Sequence, residues 1–181
     1  MKSQMLAAML LGMGFLSGCG AEPPHEPPVV PAAITADAVG QYCGMNLSDH
    51  PGPKGQVHLR SRGTPVWLTS VRDTFAFLML PDEPKNVRAA FVSDMGGTTG
   101  PDKADPTRWV AVQEAWYVAG AEAPAAMTGA ELYPFSKEAD ARDFIHVYGG
   151  QLRRFADIRP DDVLGGDMET SSISQGGSDA R

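Results

Sequence analysis

The order of short apolar segments in the middle of the chain constrains the fold more than any other feature of this sequence. Residues 56–60 and 65–69 lie on either side of the turn sequence SRG and predict a β-hairpin. The next segment predicts a helix, because Ser70 is a favoured N-cap residue and Pro81 ends a helix. The segment VRAAFVSD then predicts a third strand.

The second half of the chain repeats this order. Residues 109–112 and 115–118 predict two short strands, and the segment QLRRF predicts the last strand. Between them, Ser136 is the predicted N-cap of an amphipathic helix, and Gly149 and Gly150 end that helix. The sequence therefore predicts an α+β fold made of two related ββαβ lobes packed together.

Segments of a different composition flank the two lobes. The stretch GAEPPHEPPVVPAAI is rich in proline and predicts a flexible, extended tether, and the polar stretch GGDMETSSISQGGSDAR predicts a disordered tail. The predicted organisation is a signal peptide (1–18), a lipidated cysteine with its tether (19–35), a first lobe (36–100), a second lobe (101–164) and the tail (165–181).

The N-terminal sequence MKSQMLAAMLLGMGFLSGCG predicts export from the cytoplasm. A lysine precedes an apolar run that is shorter than a membrane-spanning helix requires. The following LSGC resembles the bacterial lipobox, in which the chain is cut before a cysteine that carries lipid. We therefore expect Cys19 to anchor the protein on the periplasmic side of the cell envelope. Gly20, in place of the aspartate that retains many lipoproteins in the inner membrane, favours the outer membrane.

The charge of the chain argues against one class of partner. It has 22 acidic and 15 basic side chains and a net charge of −7, so no basic stripe is available to neutralise phosphates. We expect no nucleic acid partner, and contact with the membrane only through the lipid. The sequence has no phosphate-binding loop, no paired catalytic carboxylates and no Cys-x-x-Cys motif. We therefore expect that the protein is not an enzyme.

Cys43 is the residue that points most directly to a function. The chain has two cysteines, and Cys43 has no partner within it once Cys19 carries lipid. Its neighbours in VGQYCGMNLSDH are turn-forming residues, so a loop is expected rather than an apolar strand. A leftover cysteine in an exported protein indicates intermolecular pairing or a reactive thiol. A small buried hydrophobic residue is the plain structural alternative.

The residues around Cys43 favour a soft metal. Met45 follows two residues later, and thiolate and thioether are the protein ligands that suit copper(I). In an extended segment, side chains at i and i+2 share a face, so both sulfurs could meet one ion. We predict a copper(I) site there with an open side, which suits a carrier better than a closed four-ligand cage. His50, in the same polar turn, is a candidate third ligand.

Several segments, in one order after the lipobox, carry a resemblance to a known family. They are YCGM, VRDTFAFLMLPDEP, WVAVQEAWYVAG, AAMTGAELYPFSKEADARDF and YGG. Over residues 36–158 the chain resembles the nitrous-oxide reductase accessory lipoproteins, the NosL family. The resemblance implies two related ββαβ lobes and a periplasmic copper(I) chaperone that delivers copper for the copper–sulfur centre of nitrous-oxide reductase.

The same resemblance implies partners and a further ligand. The implied partners are nitrous-oxide reductase and a membrane ABC-type maturation complex. Met127, in AAMTG, matches a methionine of the family and would bring a ligand from the second lobe. The third position at the metal stays open between Met127, His50 and water.

Two other functions are alternatives to a copper chaperone. A thiol-dependent enzyme using Cys43 would need a base in contact with the thiol, and His50 reaches it only if the loop folds back on itself. A non-catalytic docking or assembly lipoprotein would bind no metal and would leave Cys43 without a role. Titration with copper(I) against a competing chelator distinguishes the three functions.

Overall fold

The computed structural model of the chain describes residues 26–123 and 131–164. The predicted signal peptide, the lipidation site Cys19, the candidate ligand Met127 and the predicted tail from residue 165 lie outside these ranges. No helix in either range is long and apolar enough to cross a bilayer. The helices and strands are β1 (Gly55–Leu59), β2 (Val66–Leu68), α1 (Val71–Met79), β3 (Val87–Ser93), β4 (Trp109–Ala111), β5 (Trp116–Ala119), β6 (Leu132–Phe135), α2 (Glu138–Tyr148), β7 (Gln151–Arg154) and α3 (Pro160–Leu164).

The strands form two antiparallel sheets with the same arrangement. The first sheet has the order β2–β1–β3–β4, and the second has the order β6–β5–β7. In each lobe the first strand is central, the second strand lies on one side of it, and the strand after the helix lies on the other. The predicted α+β fold with two related ββαβ lobes is confirmed.

The second lobe begins one strand later than the sequence predicts. Residues 109–112 are predicted as its first strand, but β4 pairs with β3 and extends the first sheet, with Trp109 opposite Ser93. The first two strands of the second lobe are instead β5 and β6. Strand β6 contains Pro134, a residue that argues against a strand in sequence patterns. Proline is tolerated there because β6 is the edge of its sheet.

Helix α1 begins and ends as predicted. The Ser70 hydroxyl accepts a hydrogen bond from Asp73 N at 2.9 Å, and this N-cap satisfies a donor that the start of a helix leaves unpaired. The helix ends at Met79, just before Pro81. Val71 and Phe75 are fully buried, so the predicted apolar face of the helix forms part of the core.

Helix α2 begins differently from the prediction, and the difference joins the two lobes. Its N-cap residue is Lys137, without a side-chain hydrogen bond. The predicted N-cap, Ser136, instead donates to Asp94 from its backbone N (3.0 Å) and its hydroxyl (2.7 Å). Arg108 forms an ion pair with the same carboxylate at 2.6 Å. Burial disfavours the charged form of Asp94, but these hydrogen bonds outweigh it and lower the pKa of Asp94.

One hydrophobic core extends through both lobes. The ring centroid of Phe75 in α1 lies 5.1 Å from that of Tyr117 in β5 and 5.4 Å from that of Phe155. Tyr117 is fully buried, and its hydroxyl donates to the carbonyl oxygen of Val112 at 2.7 Å. Aromatic pairs of this kind contribute about 0.5–1.5 kcal/mol beyond the area they bury. The packing that stabilises each lobe is therefore shared with the other.

Part of the predicted tether lies against the first lobe. Oε1 of Gln56 accepts from Ala32 N at 2.7 Å, and Nε2 of Gln56 donates to Ala32 O at 3.1 Å. Glu26 forms ion pairs with Arg60 and Arg88. Gln56 is fully buried in β1, so the tether residues satisfy polar groups that burial would otherwise leave unpaired. This part of the tether is held along the first sheet rather than extended into solvent.

Candidate metal centre

The cysteine loop, residues 39–46, is closed by its own backbone. An antiparallel bridge joins its first and last residues. Within it, Gly40 N donates to Met45 O and Gly44 N donates to Gly40 O, each at 2.9 Å. Gly44 has a φ of 66°, a left-handed conformation that glycine adopts without the penalty other residues incur. Cys43 thus lies in a fixed turn, as its neighbours in the sequence predict.

The backbone between Cys43 and Met45 is not extended, although the prediction from sequence assumed that it is. Side chains at i and i+2 share a face only in an extended backbone. Gly44 turns the chain between Cys43 and Met45, so the same-face rule does not apply to this loop. Both side chains nevertheless remain accessible, because Cys43 is half-buried and Met45 is 46% exposed.

The sulfur of Cys43 rests on the start of helix α1. It lies 3.7 Å from Oγ1 of Thr69, and the Thr69 hydroxyl lies 3.0 Å from Oδ2 of Asp73, to which it donates. Since that hydrogen is directed at Asp73, the thiol is the donor towards Thr69. Gln41 N also donates to the carbonyl oxygen of Trp67 at 2.8 Å. Two contacts therefore fix the cysteine loop to β2 and to the residue that follows it.

Gly40 allows this close approach. A Cβ atom at Gly40 would lie 2.8 Å from the sulfur of Cys43 and 2.6 Å from Cγ2 of Thr69. Both distances are too short for non-bonded carbon and sulfur atoms, so any larger residue would push the thiol or the loop away. Glycine at this position is a requirement of the Cys43–Thr69 contact.

The outer side of the cysteine loop is open and partly apolar. Val39 is 50% exposed, Tyr42 is 44% exposed, and Met45 lies beside them in sequence. The Tyr42 hydroxyl donates to Glu83 at 2.9 Å, and burial together with that carboxylate raises the pKa of Tyr42. No described atom lies within 4 Å of where a Cβ would stand on Gly44. A metal ion bound at this loop would be reachable from solvent.

His50 lies in a different environment from Cys43. It lines a cavity of about 450 Å³ together with Lys54, Ser93 and Asp102, and neither Cys43 nor Met45 is among the described residues that line it. Nε2 of His50 is buried and has no hydrogen-bond partner among the described residues. His50 therefore lines a cavity to which Cys43 does not contribute, although the two residues are close in sequence.

The remaining methionine candidates fall into two groups. Met95, in the loop sequence SDMGG, is only 2% exposed and packs in the second lobe with Tyr133 and Phe135. Met127 falls in the segment between the two described ranges. No three His, Cys, Asp or Glu side chains within residues 26–123 and 131–164 group together as a metal site.

Glu131 is a buried residue that sequence reasoning missed. Its Oε1 accepts from Leu132 N at 2.9 Å and from Arg72 N, in the first turn of α1, at 3.3 Å. Burial raises the pKa of Glu131 to about 7, although both hydrogen bonds and the charge of Lys54 act in the opposite direction. Glu131, four residues after Met127, is thus hydrogen-bonded to the start of helix α1, and the Cys43 sulfur contacts the same helix start. A single glutamate before an apolar run carries no signal that would identify it in the sequence.

Lys54 is a buried cation whose charge acts on the Glu131 carboxyl. Its Nζ donates to the carbonyl oxygens of Pro51 (2.8 Å) and Gly52 (2.7 Å). Burial lowers the pKa of Lys54 to about 8, and the charge of Glu131 partly offsets the decrease. Both groups therefore titrate closer to neutrality than they do in water.

Comparison with known proteins identifies the family. The NosL family model matches residues 31–163, most of the chain. The chain belongs to the NosL family. The matched range includes the cysteine loop, both sheets and both long helices, so NosL membership covers the whole of the described fold apart from the first tether residues.

Two NosL proteins are similar to this chain along most of their length. The copper-binding lipoprotein NosL of Achromobacter cycloclastes is 34% identical over 154 residues, covering 84% of this chain and 78% of the relative. The copper-binding lipoprotein NosL of Stutzerimonas stutzeri is 32% identical over 172 residues, covering 95% of this chain and 86% of the relative.

A solved NosL structure has the same fold. The crystal structure of the copper chaperone NosL from Shewanella denitrificans matches with a TM-score of 0.68 at 31% identity. The match covers 74% of this chain and 98% of that chain. The two-lobed α+β arrangement described above is therefore the fold of a NosL protein of known structure.

Proposed function

We propose that this protein binds copper(I) at Cys43 and Met45 and carries it as cargo for delivery to another protein. The observation that supports this most is the cysteine loop itself. It presents a half-buried thiol and an exposed thioether on an open, partly apolar side of the first lobe. The relatives named as copper-binding lipoproteins and as a copper chaperone point to the same cargo.

The chemistry of this loop suits copper(I) in particular. Thiolate and thioether are soft donors, and copper(I) is a soft ion. The thiol of Cys43 has to lose its proton to bind. The Thr69 hydroxyl accepts from the thiol while it donates to Asp73, and it can stabilise the thiolate by turning its hydrogen from Asp73 to the sulfur. A thiolate with one copper(I) ion is neutral overall, which lowers the cost of holding the ion beside Val39 and Tyr42. Few ligands and an open side allow transfer by ligand exchange.

We propose Met127 as the third ligand, in preference to His50. Glu131 is bonded to the first turn of α1, where Thr69 also holds Cys43. The four residues from Met127 to Glu131 span at most about 14 Å, so Met127 lies within reach of that helix start. His50, in contrast, lines a cavity to which Cys43 does not contribute.

The proposed place of action is the periplasmic side of the cell envelope. The lipobox ending at Cys19 supports a lipid anchor, and Gly20 supports the outer membrane. We propose nitrous-oxide reductase and its membrane ABC-type maturation complex as partners, with copper delivered for the copper–sulfur centre of the reductase. These partners rest on membership of the NosL family.

A copper(I) titration against a competing chelator tests the proposal. The protein should bind about one copper(I) per chain and bind zinc much more weakly, because zinc prefers four nitrogen or sulfur ligands. Copper-loaded protein should then restore copper to a copper-free nitrous-oxide reductase faster than free copper does at the same concentration. Absence of copper(I) affinity would favour a docking lipoprotein. Thiol-dependent turnover of a substrate without metal would favour an enzyme.

A further inference from the structure

Three arginines lie together at one end of the first sheet. Arg60 and Arg62 follow strand β1, and Arg88 lies near the start of β3. Arg60 N donates to the carbonyl oxygen of Asn86 at 3.0 Å, which holds the β1–β2 turn beside the start of β3. All three arginines are exposed. We call this group of three arginines the basic end.

The basic end carries an excess of positive charge. Glu26 forms ion pairs with Arg60 and with Arg88, in the second case at 3.4 Å. Arg62 forms no ion pair within the described residues. Three guanidinium groups against one carboxylate leave a local excess of two positive charges. This excess is opposite in sign to the chain as a whole, whose net charge is −7.

Two acidic residues lie in the turn between α1 and β3, and one of them is hydrogen-bonded to the cysteine loop. Asp82 and Glu83 follow helix α1, and Glu83 accepts a hydrogen bond from Tyr42 of the cysteine loop. Lys85 lies beside them and donates to the carbonyl oxygens of Leu78 and Leu80 at the end of the helix. Within this turn the lysine offsets part of the acidic charge, so the excess at the basic end is not cancelled.

The first described residues of the tether, Glu26 and Pro27, lie against the basic end. Arg88 Nη2 donates to the carbonyl oxygen of Pro27 at 2.5 Å, in addition to pairing with Glu26. The seven residue steps from Cys19 to Glu26 span at most about 25 Å. A lipid on Cys19 would therefore keep the basic end within about 25 Å of the membrane surface.

We propose that the basic end is a second membrane contact, a surface that binds anionic phospholipid headgroups; this rests on the lipid anchor of the proposed function. Arginine near an anionic lipid surface gains electrostatic attraction that decays within a Debye length, and the short tether allows the basic end to come within that range. Guanidinium groups also form bidentate hydrogen bonds with phosphate. This proposal replaces the expectation that the membrane is touched only through the lipid.

This contact would leave the copper site free. Gly55, the first residue of β1, pairs with Leu68, which adjoins the Thr69 that holds Cys43. The basic end follows Leu59, four residues later and about 13 Å away at ~3.3 Å per residue. Thr69 and the Cys43 thiol beside it thus lie near the other end of β1 from the basic end, so the thiol stays available to a protein partner, while Tyr42 reaches towards the α1–β3 turn through Glu83.

Fluorescence quenching on vesicles tests this surface with the full lipidated chain. In a Cys43→Ser background, a fluorophore is attached through Gly63→Cys in the β1–β2 turn, where an added Cβ meets no described atom within 4 Å. A control fluorophore is attached through Ala139→Cys, exposed on α2. The vesicles contain phosphatidylcholine, with or without phosphatidylglycerol, and a lipid whose headgroup carries a quencher.

Quenching at Gly63→Cys should be at least twofold stronger on the vesicles with phosphatidylglycerol, and quenching at Ala139→Cys should not change. The difference should vanish in about 1 M salt, where the Debye length falls to about 3 Å. Arg62→Glu should abolish it, and the matched variant Arg142→Glu, on the second lobe, should keep it.

Two results would overturn the inference in different ways. Protein that floats with both kinds of vesicle, but shows equal quenching on each or is unaffected by Arg62→Glu, would overturn the membrane surface alone. Protein that floats with neither, and whose mass spectrum shows no lipid on Cys19, would overturn the anchor and the surface together.

Discussion

The sulfur of Cys43 lies 3.7 Å from the hydroxyl oxygen of Thr69, a buried residue one position before the N-cap of helix α1. Thr69 in turn donates to Asp73 in the first turn of that helix. The position of the candidate copper ligand is therefore set by the start of a helix and not by the loop alone. Thr69 acts as a positioning residue for the thiol.

Thr69→Val should weaken copper(I) binding, because valine keeps the shape of threonine but removes the hydroxyl, whose hydrogen can turn from Asp73 to the sulfur once Cys43 is a thiolate. A hydrogen bond of this kind contributes about 0.5–1.5 kcal/mol, so the affinity should fall by about twofold to tenfold. Thr69→Ser should restore most of the loss, and Thr64→Val, at an exposed position, should have no effect. Chelator competition at one pH measures all three. Equal affinity of Thr69→Val and the parent would remove Thr69 from the site.

Gly40→Ala should destabilise the cysteine loop. The added Cβ would lie within 3 Å of both Cys43 and Thr69, so the loop must shift. Overpacking of this kind costs about 1–3 kcal/mol, and copper(I) affinity should fall with it. Gly63→Ala is the control, because its Cβ meets no described atom within 4 Å. Urea unfolding of the two apo variants gives the comparison, and an equal cost at both positions would show that the close approach is unimportant.

The third ligand is identified by comparing how much copper(I) affinity is lost in two variants. Met127→Ala should weaken copper(I) binding more than His50→Ala does, because the cavity lined by His50 does not include Cys43. If the ion bridges the lobes through Met127, copper(I) should also raise the midpoint of thermal unfolding, by an amount that grows with the logarithm of its concentration over its dissociation constant. Competition titrations and melting curves of both variants test this. A larger loss for His50→Ala would place the whole site in the first lobe.

Glu131 should make the stability of the protein depend on pH. Its pKa is about 7 in the folded protein, raised from 4.5. Between these values the folded state binds more protons than the unfolded state, so stability is greatest below pH 4.5 and falls as the pH rises to about 7. Glu131→Gln should remove this decrease, at about 1.4 kcal/mol per unit of pKa difference.

Urea unfolding at steps of pH measures the effect of Glu131. The gain of Glu131→Gln over the parent should grow with pH across that window. Glu114→Gln, at an exposed position, should follow the parent at every pH. His58, whose pKa is lowered by burial, acts in the opposite direction in this window, so the test is the difference between variant and parent. A gain of Glu131→Gln that does not grow with pH, or a control that behaves like Glu131→Gln, would contradict the role of the buried carboxyl.

The sequence predicts the elements that local chemistry determines. Ser70 caps α1 as expected, and Gly149, with a φ of 68°, ends α2 as expected. Ser136 has the same residue type as Ser70 but does not cap a helix. Its hydrogen bonds go to Asp94 across the lobe boundary, and a contact between residues 42 positions apart has no local pattern.

The candidate site was predictable only in part for the same reason. The unpaired thiol, the nearby thioether and the turn between them follow from adjacent residues in the sequence. Thr69 and Glu131 come from distant segments, and nothing beside either residue marks it as part of the site. The cavity that His50 lines without Cys43 was also hidden, because it depends on the path of the chain after the cysteine loop.

The central claim is that Cys43 holds the copper, and the copper(I) affinity of Cys43→Ser tests it most directly. Serine keeps the size and the hydrogen bond to Thr69 but removes the soft thiolate. Measured by chelator competition beside Met45→Leu, the serine variant should lose tight binding altogether, and the leucine variant should lose only part of it. A Cys43→Ser protein that binds one copper(I) as tightly as the parent would contradict the proposed site.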